Sequence, residues 1–167
     1  MKKFSNKFAE LGDIKPDSVL AYVSENSFSM HELLVHLLET TGPANVRIMS
    51  FSITEVAIRT FLNLIDSGKI QKLQCILDLS VKRYRLALLN FMNNVVTEIS
   101  LIKNHAKVIL IENEQWKVAV ISSANFNVND KIEAGVILTK PLLFSVYDKH
   151  FVRWFNQGLK IQKDEFY

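Results

Sequence analysis

The sequence is short of several things, and each shortage excludes a class of protein. It has one cysteine, Cys75. That excludes an internal disulfide framework and any cysteine-rich zinc site. Its 5 glycines and 3 prolines in 167 residues exclude collagen-like and low-complexity chains. No stretch of about 18 apolar residues occurs, so no membrane-spanning helix is expected. Met1-Lys2-Lys3 resembles the start of a secretion signal, but no apolar core follows it. The expectation is therefore a soluble, cytoplasmic protein. An excess of one charge is missing too. Lys and Arg total 20 against 17 Asp and Glu. The net charge of +3 does not by itself mark a nucleic-acid binder, although it suits an anionic partner.

What is present is apolar residues, 49% of the chain, against 22% charged. This excludes disorder of the whole chain and suffices for a sizeable core. The length fits one domain spanning 1–167, with residues 1–17 an N-terminal extension or a short amphipathic helix over 1–12. Residues 18–24 read as a strand. Ser29 and Glu32 form a capping-box pattern before a helix that Gly42-Pro43 stops. A strand at 45–51 precedes a second such pattern, Ser52 to Glu55, and a second helix. A strand at 72–79 leads into a third helix from Ser80 to about Asn93. Further strands are expected at 97–102, 107–111, 117–121 and 134–138, and a last helix from Pro141 to about Asn156, ended by Gly158. Alternating helices and strands, followed by paired strands, predict an α/β fold with a mixed sheet.

The chemistry-bearing segment is Asn104 to Leu138. His105 and Lys107 are two apart at the start of an apolar strand, which places them on one face. Buried without a partner, Lys107 would cost several kcal/mol, on the order given for unpaired polar groups. Lining a cleft, the pair makes sense as an anion holder beside a nucleophile or proton donor. The next strand leads into Ser122-Ser123-Ala124-Asn125, polar residues past the end of a buried strand, where ligand sites gather in α/β proteins. Ser123 and Asn125 can both hydrogen-bond phosphate oxygens. Glu133 opens the following strand, where a carboxylate can orient a histidine ring. The plain alternative for His105 and Lys107 is a pair of solvated residues at a strand end.

Elsewhere the signals are structural. His31 and His36 are five apart, the wrong spacing for a metal pair on a helix. His150 reads as structural. Cys75 lies in an apolar strand as an inert thiol. Phe151, Trp154 and Phe155 read as core or dimer contact. Lys82, Arg83 and Arg85 read as a solvated face that could also steer a polyanion.

The order His105-Ala106-Lys107, four residues, Glu112, then Ser122-Ser123-Ala124-Asn125 and Glu133 resembles the phospholipase D superfamily. That family's motif is HxK, four residues, Asp, about six residues, GSxN. Three departures stand out. Glu112 replaces Asp, Ser122 replaces Gly, and nine residues separate Glu112 from Ser122. A longer hairpin turn absorbs such an insertion.

The resemblance implies a phospholipase D-like mixed β-sheet flanked by helices on both faces. It implies a metal-independent phosphodiesterase, a nuclease, with no cofactor. Because the chain carries one motif where the family's sites use two, it implies a homodimer acting on nucleic acid or another phosphodiester. One His105 would form a phosphohistidine, and the other would protonate the leaving oxygen. Lys107 and Asn125 would bind the equatorial oxygens. Ser123 would support them, Glu133 would hold the His105 ring, and Glu112 and Ser122 would take supporting places. Two rivals stand beside it. One is a degenerate relative that binds nucleic acid or a phosphorylated ligand without cleaving it. The other is an unrelated α/β interaction domain.

Overall fold

The computed structural model describes residues 7–128 and 130–163. Eight strands form one mixed sheet in the order β1-β7-β6-β5-β2-β3-β4-β8. These are β1 (Val19–Glu25), β2 (Ala44–Ser50), β3 (Ile70–Asp78), β4 (Glu98–Ile102), β5 (Val108–Glu112), β6 (Lys117–Ser122), β7 (Ile132–Leu138) and β8 (Leu159–Ile161). The helices are α1 (Met30–Thr41), α2 (Glu55–Asp66), α3 (Ser80–Tyr84), α4 (Leu86–Val95) and α5 (Pro141–Gln157).

Strands β2, β3 and β4 run parallel, and the other pairings are antiparallel. The α/β fold with a mixed sheet is as the sequence predicts, and the helices on both faces are as the resemblance implies. One face carries α1, α2 and α4, whose Leu34, Phe61 and Met92 share a core with Ile48 and Cys75. The other face carries α5, whose Phe144, Phe151 and Phe155 pack on Met49, Ile76 and Leu110. Covered on both sides, β5 is a continuous apolar run over 108–111. Burial pushes the Cys75 thiol far up, so it stays protonated and inert.

Four local expectations differ. Ser52 does not cap α2. Its N–H donates to Asn125 Oδ1, 3.3 Å away, and the N-cap residue is Thr54, whose N–H donates to Phe126 O at 3.0 Å. Tertiary partners have displaced the local cap. The helix expected from Ser80 is broken at Arg85, whose φ of −142° leaves the helical region. Of the expected N-terminal helix, residues 7–11 form a turn and 1–6 lie outside the described residues. Phe8 is held instead by stacking on His36, ring centroids 4.1 Å apart. Strand β8 was not anticipated.

The registers decide where the functional residues lie. Met49 pairs with Val108, Val108 with Ile121, Ser122 with Gly135, and Ser24 with Glu133. The C-terminal ends of β1, β2 and β6 and the N-terminal ends of β5 and β7 therefore share one edge of the sheet. The parallel strands β3 and β4 end there too.

Candidate active site

His105 and Lys107 sit in the connection just before β5. Lys107 is 7% exposed, yet its ammonium is not orphaned. Nζ lies 2.9 Å from His105 Nδ1 and donates to the His105 carbonyl at 2.7 Å. Nζ is also 3.4 Å from Nε2, and since an ammonium can only donate, the ring nitrogen it bonds is the acceptor. Burial holds the Lys107 ammonium below the usual lysine value, and the Glu133 carboxylate works against that. Phe51, just past β2, sets its ring tilted against His105, centroids 5.3 Å apart. Asn104 anchors this connection: its N–H donates to Asp78 Oδ2 at 3.0 Å, and its Oδ1 accepts from Ala106 N at 3.0 Å.

Asn125 is positioned by the residue after it. Phe126 is fully buried against Phe61 and bridges to Ile53 in the loop before α2. This brings Asn125 Oδ1 to the N–H groups of Phe51 (3.1 Å) and Ser52 (3.3 Å). With its carbonyl end committed to the backbone, the side chain has its amide N–H₂ end to offer an anion. Phe51 thus links the two halves of the motif, through its N–H to Asn125 and through its ring to His105.

Ser123 hydroxyl donates to Glu133 Oε2 and accepts from Ala134 N at 3.0 Å. Ser122 does something else. Its Oγ accepts from the Tyr22 hydroxyl at 2.9 Å and from Ala124 N at 3.1 Å. The Tyr22 ring reaches it across β7 by crossing Gly135, where any Cβ would come within 2.6 Å of the hydroxyl and 2.5 Å of Ile121 O. Burial pushes the Tyr22 hydroxyl up, so it remains a donor. Glu112 lies at the opposite end of β5, 3.1 Å from Arg47 and 3.2 Å from Lys117. Two of the three departures from the motif are thereby accounted for. The serine hydroxyl is tied to Tyr22, and the longer acidic side chain belongs to a distant ion-pair cluster.

The structure therefore brings His105, Lys107, Ser122, Ser123, Asn125 and Glu133 to one sheet edge and leaves Glu112 at the other. Among the described residues, the His105 ring meets Lys107 and Phe51, while Glu133 takes the Ser123 hydroxyl. A cleft of about 420 Å³ opens beside His105, Lys107 and Ser123, walled by Met49, Tyr147 and Trp154. Tyr22, Phe51 and Gly135 were not singled out in the sequence. Only Gly135, a glycine inside an apolar strand, carries a local signal. Among the described residues, no three His, Cys, Asp or Glu side chains gather as a metal cluster would require, and no helix is long and apolar enough to cross a membrane.

A cationic amine, an imidazole and a carboxamide at a sheet edge are groups that can hydrogen-bond a tetrahedral oxyanion. The same arrangement of strands occurs in Nuc from Salmonella typhimurium, a phospholipase D family member. The two superpose with a TM-score of 0.67 at 21% identity, over 87% of this chain and 98% of that one. The chain has the phospholipase D fold. NucT from Helicobacter pylori is similar over 86% of this chain and all of its own, with a TM-score of 0.65 and 15% identity. This phospholipase D-like chain also resembles phosphatidylserine synthase from Haemophilus influenzae, with a TM-score of 0.61 and 11% identity, over 89% of this chain but 41% of that one. No family model and no curated relative matches the sequence.

Proposed function

We propose that this protein is a metal-independent phosphodiesterase, a nuclease, working as a homodimer through a phosphohistidine. The observation that carries the reading is the His105–Lys107 contact at the sheet edge that also holds Asn125 and the Ser123–Glu133 pair. Two neighbours, the phospholipase D family member Nuc and NucT, share the fold over nearly their whole length, which supports a phosphodiester substrate.

The steps follow from the groups present. An arriving phosphodiester draws Lys107 Nζ and the Asn125 amide onto its nonbridging oxygens, because those oxygens gather charge in the transition state. Lys107 then releases Nδ1, and the His105 ring is free to exchange its proton. A deprotonated ring nitrogen attacks phosphorus. The bond to the leaving oxygen breaks as that oxygen takes a proton from the partner's His105. Water then attacks the phosphohistidine, with the partner's His105 now accepting its proton, and the enzyme is restored.

The second copy is supported by an apolar surface that begins at the site. Val136 and Leu138 pack under α5, and their neighbours Val19 and Val23 on β1 share that face but lie beyond α5. Val19 is 53% exposed, Val23 59% and Ile132 72%. Ile121 joins this face to the cleft at His105. A one-motif chain needs a partner to complete the site, and this face would bring one to it.

The test is hydrolysis of nucleic acid in EDTA. Turnover that persists in the chelator and falls by roughly 10²–10⁴-fold in His105→Ala is expected. Equal turnover in both proteins, or turnover abolished by EDTA, refutes the mechanism. Salt-sensitive binding without turnover would instead identify the degenerate, binding-only relative.

A further inference from the structure

Outside that cluster, the segment after β3 has a composition the catalytic reading does not use. Lys82, Arg83, Tyr84 and Arg85 are consecutive and all exposed, and Lys103 is exposed close by. None of these four cations takes part in an ion pair among the described residues. Three like charges within four residues repel one another, and with no ion pair to offset this the arrangement is unfavourable until an anion arrives.

The segment is latched to the site. Asp78 Oδ1 accepts from Ser80 N at 2.9 Å, and Oδ2 accepts from Asn104 N at 3.0 Å. One carboxylate thus fixes the start of α3 against the residue preceding His105. The break at Arg85 ends α3 after five residues. Tyr84 stands 70% exposed at that break, with the Arg83 guanidinium 5.1 Å from its ring centroid. A tyrosine so exposed contributes little to the core. Phe51, 37% exposed, presents a second ring beside His105.

We propose that Lys82, Arg83, Tyr84, Arg85 and Lys103 form a track for single-stranded nucleic acid leading to His105, with Tyr84 stacking on an unpaired base. Cations that follow a backbone, interrupted by an aromatic face, are how single strands are held. A duplex keeps its base faces stacked on each other and offers none to Tyr84. The proposal rests on the phosphodiesterase reading only for the direction of the track, toward His105. The strand binding is separate from cleavage.

The experiment uses the full chain carrying His105→Ala, so that binding is read without turnover. Fluorescence anisotropy follows a short fluorescein-labelled oligothymidylate and the same strand paired with oligoadenylate. Tyr84→Ala is expected to weaken single-strand binding roughly tenfold, and Tyr84→Phe, which keeps the ring, to preserve it. Duplex binding should change little with either. Replacing Lys82, Arg83 and Arg85 together by Ala should flatten the log–log salt dependence by about 2. A 5-iodouracil oligonucleotide, photo-crosslinked and mapped by mass spectrometry, reads the contact with Tyr84 intact. Adducts at Tyr84 support the track. Adducts confined elsewhere, single-strand affinity indifferent to Tyr84→Ala, or equal weakening of single strand and duplex would overturn it. So would Tyr84-dependent binding to phosphatidylserine vesicles with no oligonucleotide binding, since Leu79 and Leu86, 40% and 49% exposed, flank the same cations. Failure of His105-dependent turnover with these arms intact would remove the catalytic reading and leave the track.

Discussion

At the scale of single residues, the site depends on side chains whose own partners are backbone or one another. Tyr22 reaches Ser122 only because position 135 has no Cβ. Gly135→Ala would force either the tyrosine or the β6 carbonyl aside, at about 1–3 kcal/mol. Its urea midpoint should fall accordingly. Tyr22→Phe, which loses only the hydrogen bond, should cost about 1 kcal/mol. A Gly135→Ala protein as stable as the parent would show that Tyr22 does not need the glycine. Lys107 supplies a pH dependence. Its proton is held less tightly than an ordinary lysine's because the ammonium is buried. It gives up its charge at a lower pH than an ordinary lysine with its value of 10.5. The alkaline limb of phosphodiesterase turnover should therefore fall before that value. In Lys107→Arg, whose charge cannot be titrated away, any activity that remains should lack this limb. A limb unchanged by the substitution would assign it to another group.

At the scale of elements, α5 is fastened to the sheet by more than its phenylalanines. Arg47 on β2 lies 2.7 Å from Asp148 on α5 and 3.1 Å from Glu112 on β5, and it is only 19% exposed. Arg47→Ala removes both contacts and should lower stability by about 2 kcal/mol. Glu112 gives the sign with pH. Burial pushes its carboxyl up, but the hydrogen bonds and charges of Lys117 and Arg47 outweigh that and hold it below the usual glutamate value. Its contribution is therefore present above the unfolded-state value and lost as pH falls through the lower, folded one. Acid unfolding followed by circular dichroism should begin at higher pH in Arg47→Ala than in the parent. An unchanged acid midpoint would remove Arg47 from the account. This scale also shows what the sequence discloses. Strand β5 was legible because burial on both faces leaves the unbroken apolar run 108–111, and β3 because it closes on the apolar run 75–77. Helix α1 was legible because its capping box is entirely local: Ser29 N donates to Glu32 Oε2 at 2.8 Å, and Glu32 N to Ser29 Oγ at 3.3 Å. The cap of α2 was not, because Asn125 and Phe126, more than seventy positions away, supply its partners. No glycine or proline announces the break at Arg85. His105, Lys107, Ser123, Asn125 and Glu133 could be proposed together because one β-hairpin and one further strand carry them all. Tyr22 and Phe51 come from distant strands and became visible only through the register of the sheet.

At the scale of the molecule, the proposed chemistry demands two imidazoles, one attacking while the other donates a proton. A single chain supplies one His105. The apolar face from β1 to the His105 cleft is where a second copy would have to sit, and its outermost valine tests this without touching the catalytic groups. Val23 projects from an edge strand and is 59% exposed. Val23→Glu should therefore leave the fold intact, since surface substitutions of this kind usually shift stability by about 0.5 kcal/mol or less. Two glutamates facing each other, or one facing the partner's apolar surface, would be desolvated on assembly, which is strongly unfavourable. Light scattering coupled to size exclusion should then report a dimer for the parent and a monomer for the variant at the same concentration. Turnover should fall with dimer content, and it should return at high protein concentration if the variant's sites are sound. A Val23→Glu monomer with full turnover would show that one His105 suffices. A Val23→Glu dimer with parental affinity would place the interface on another surface.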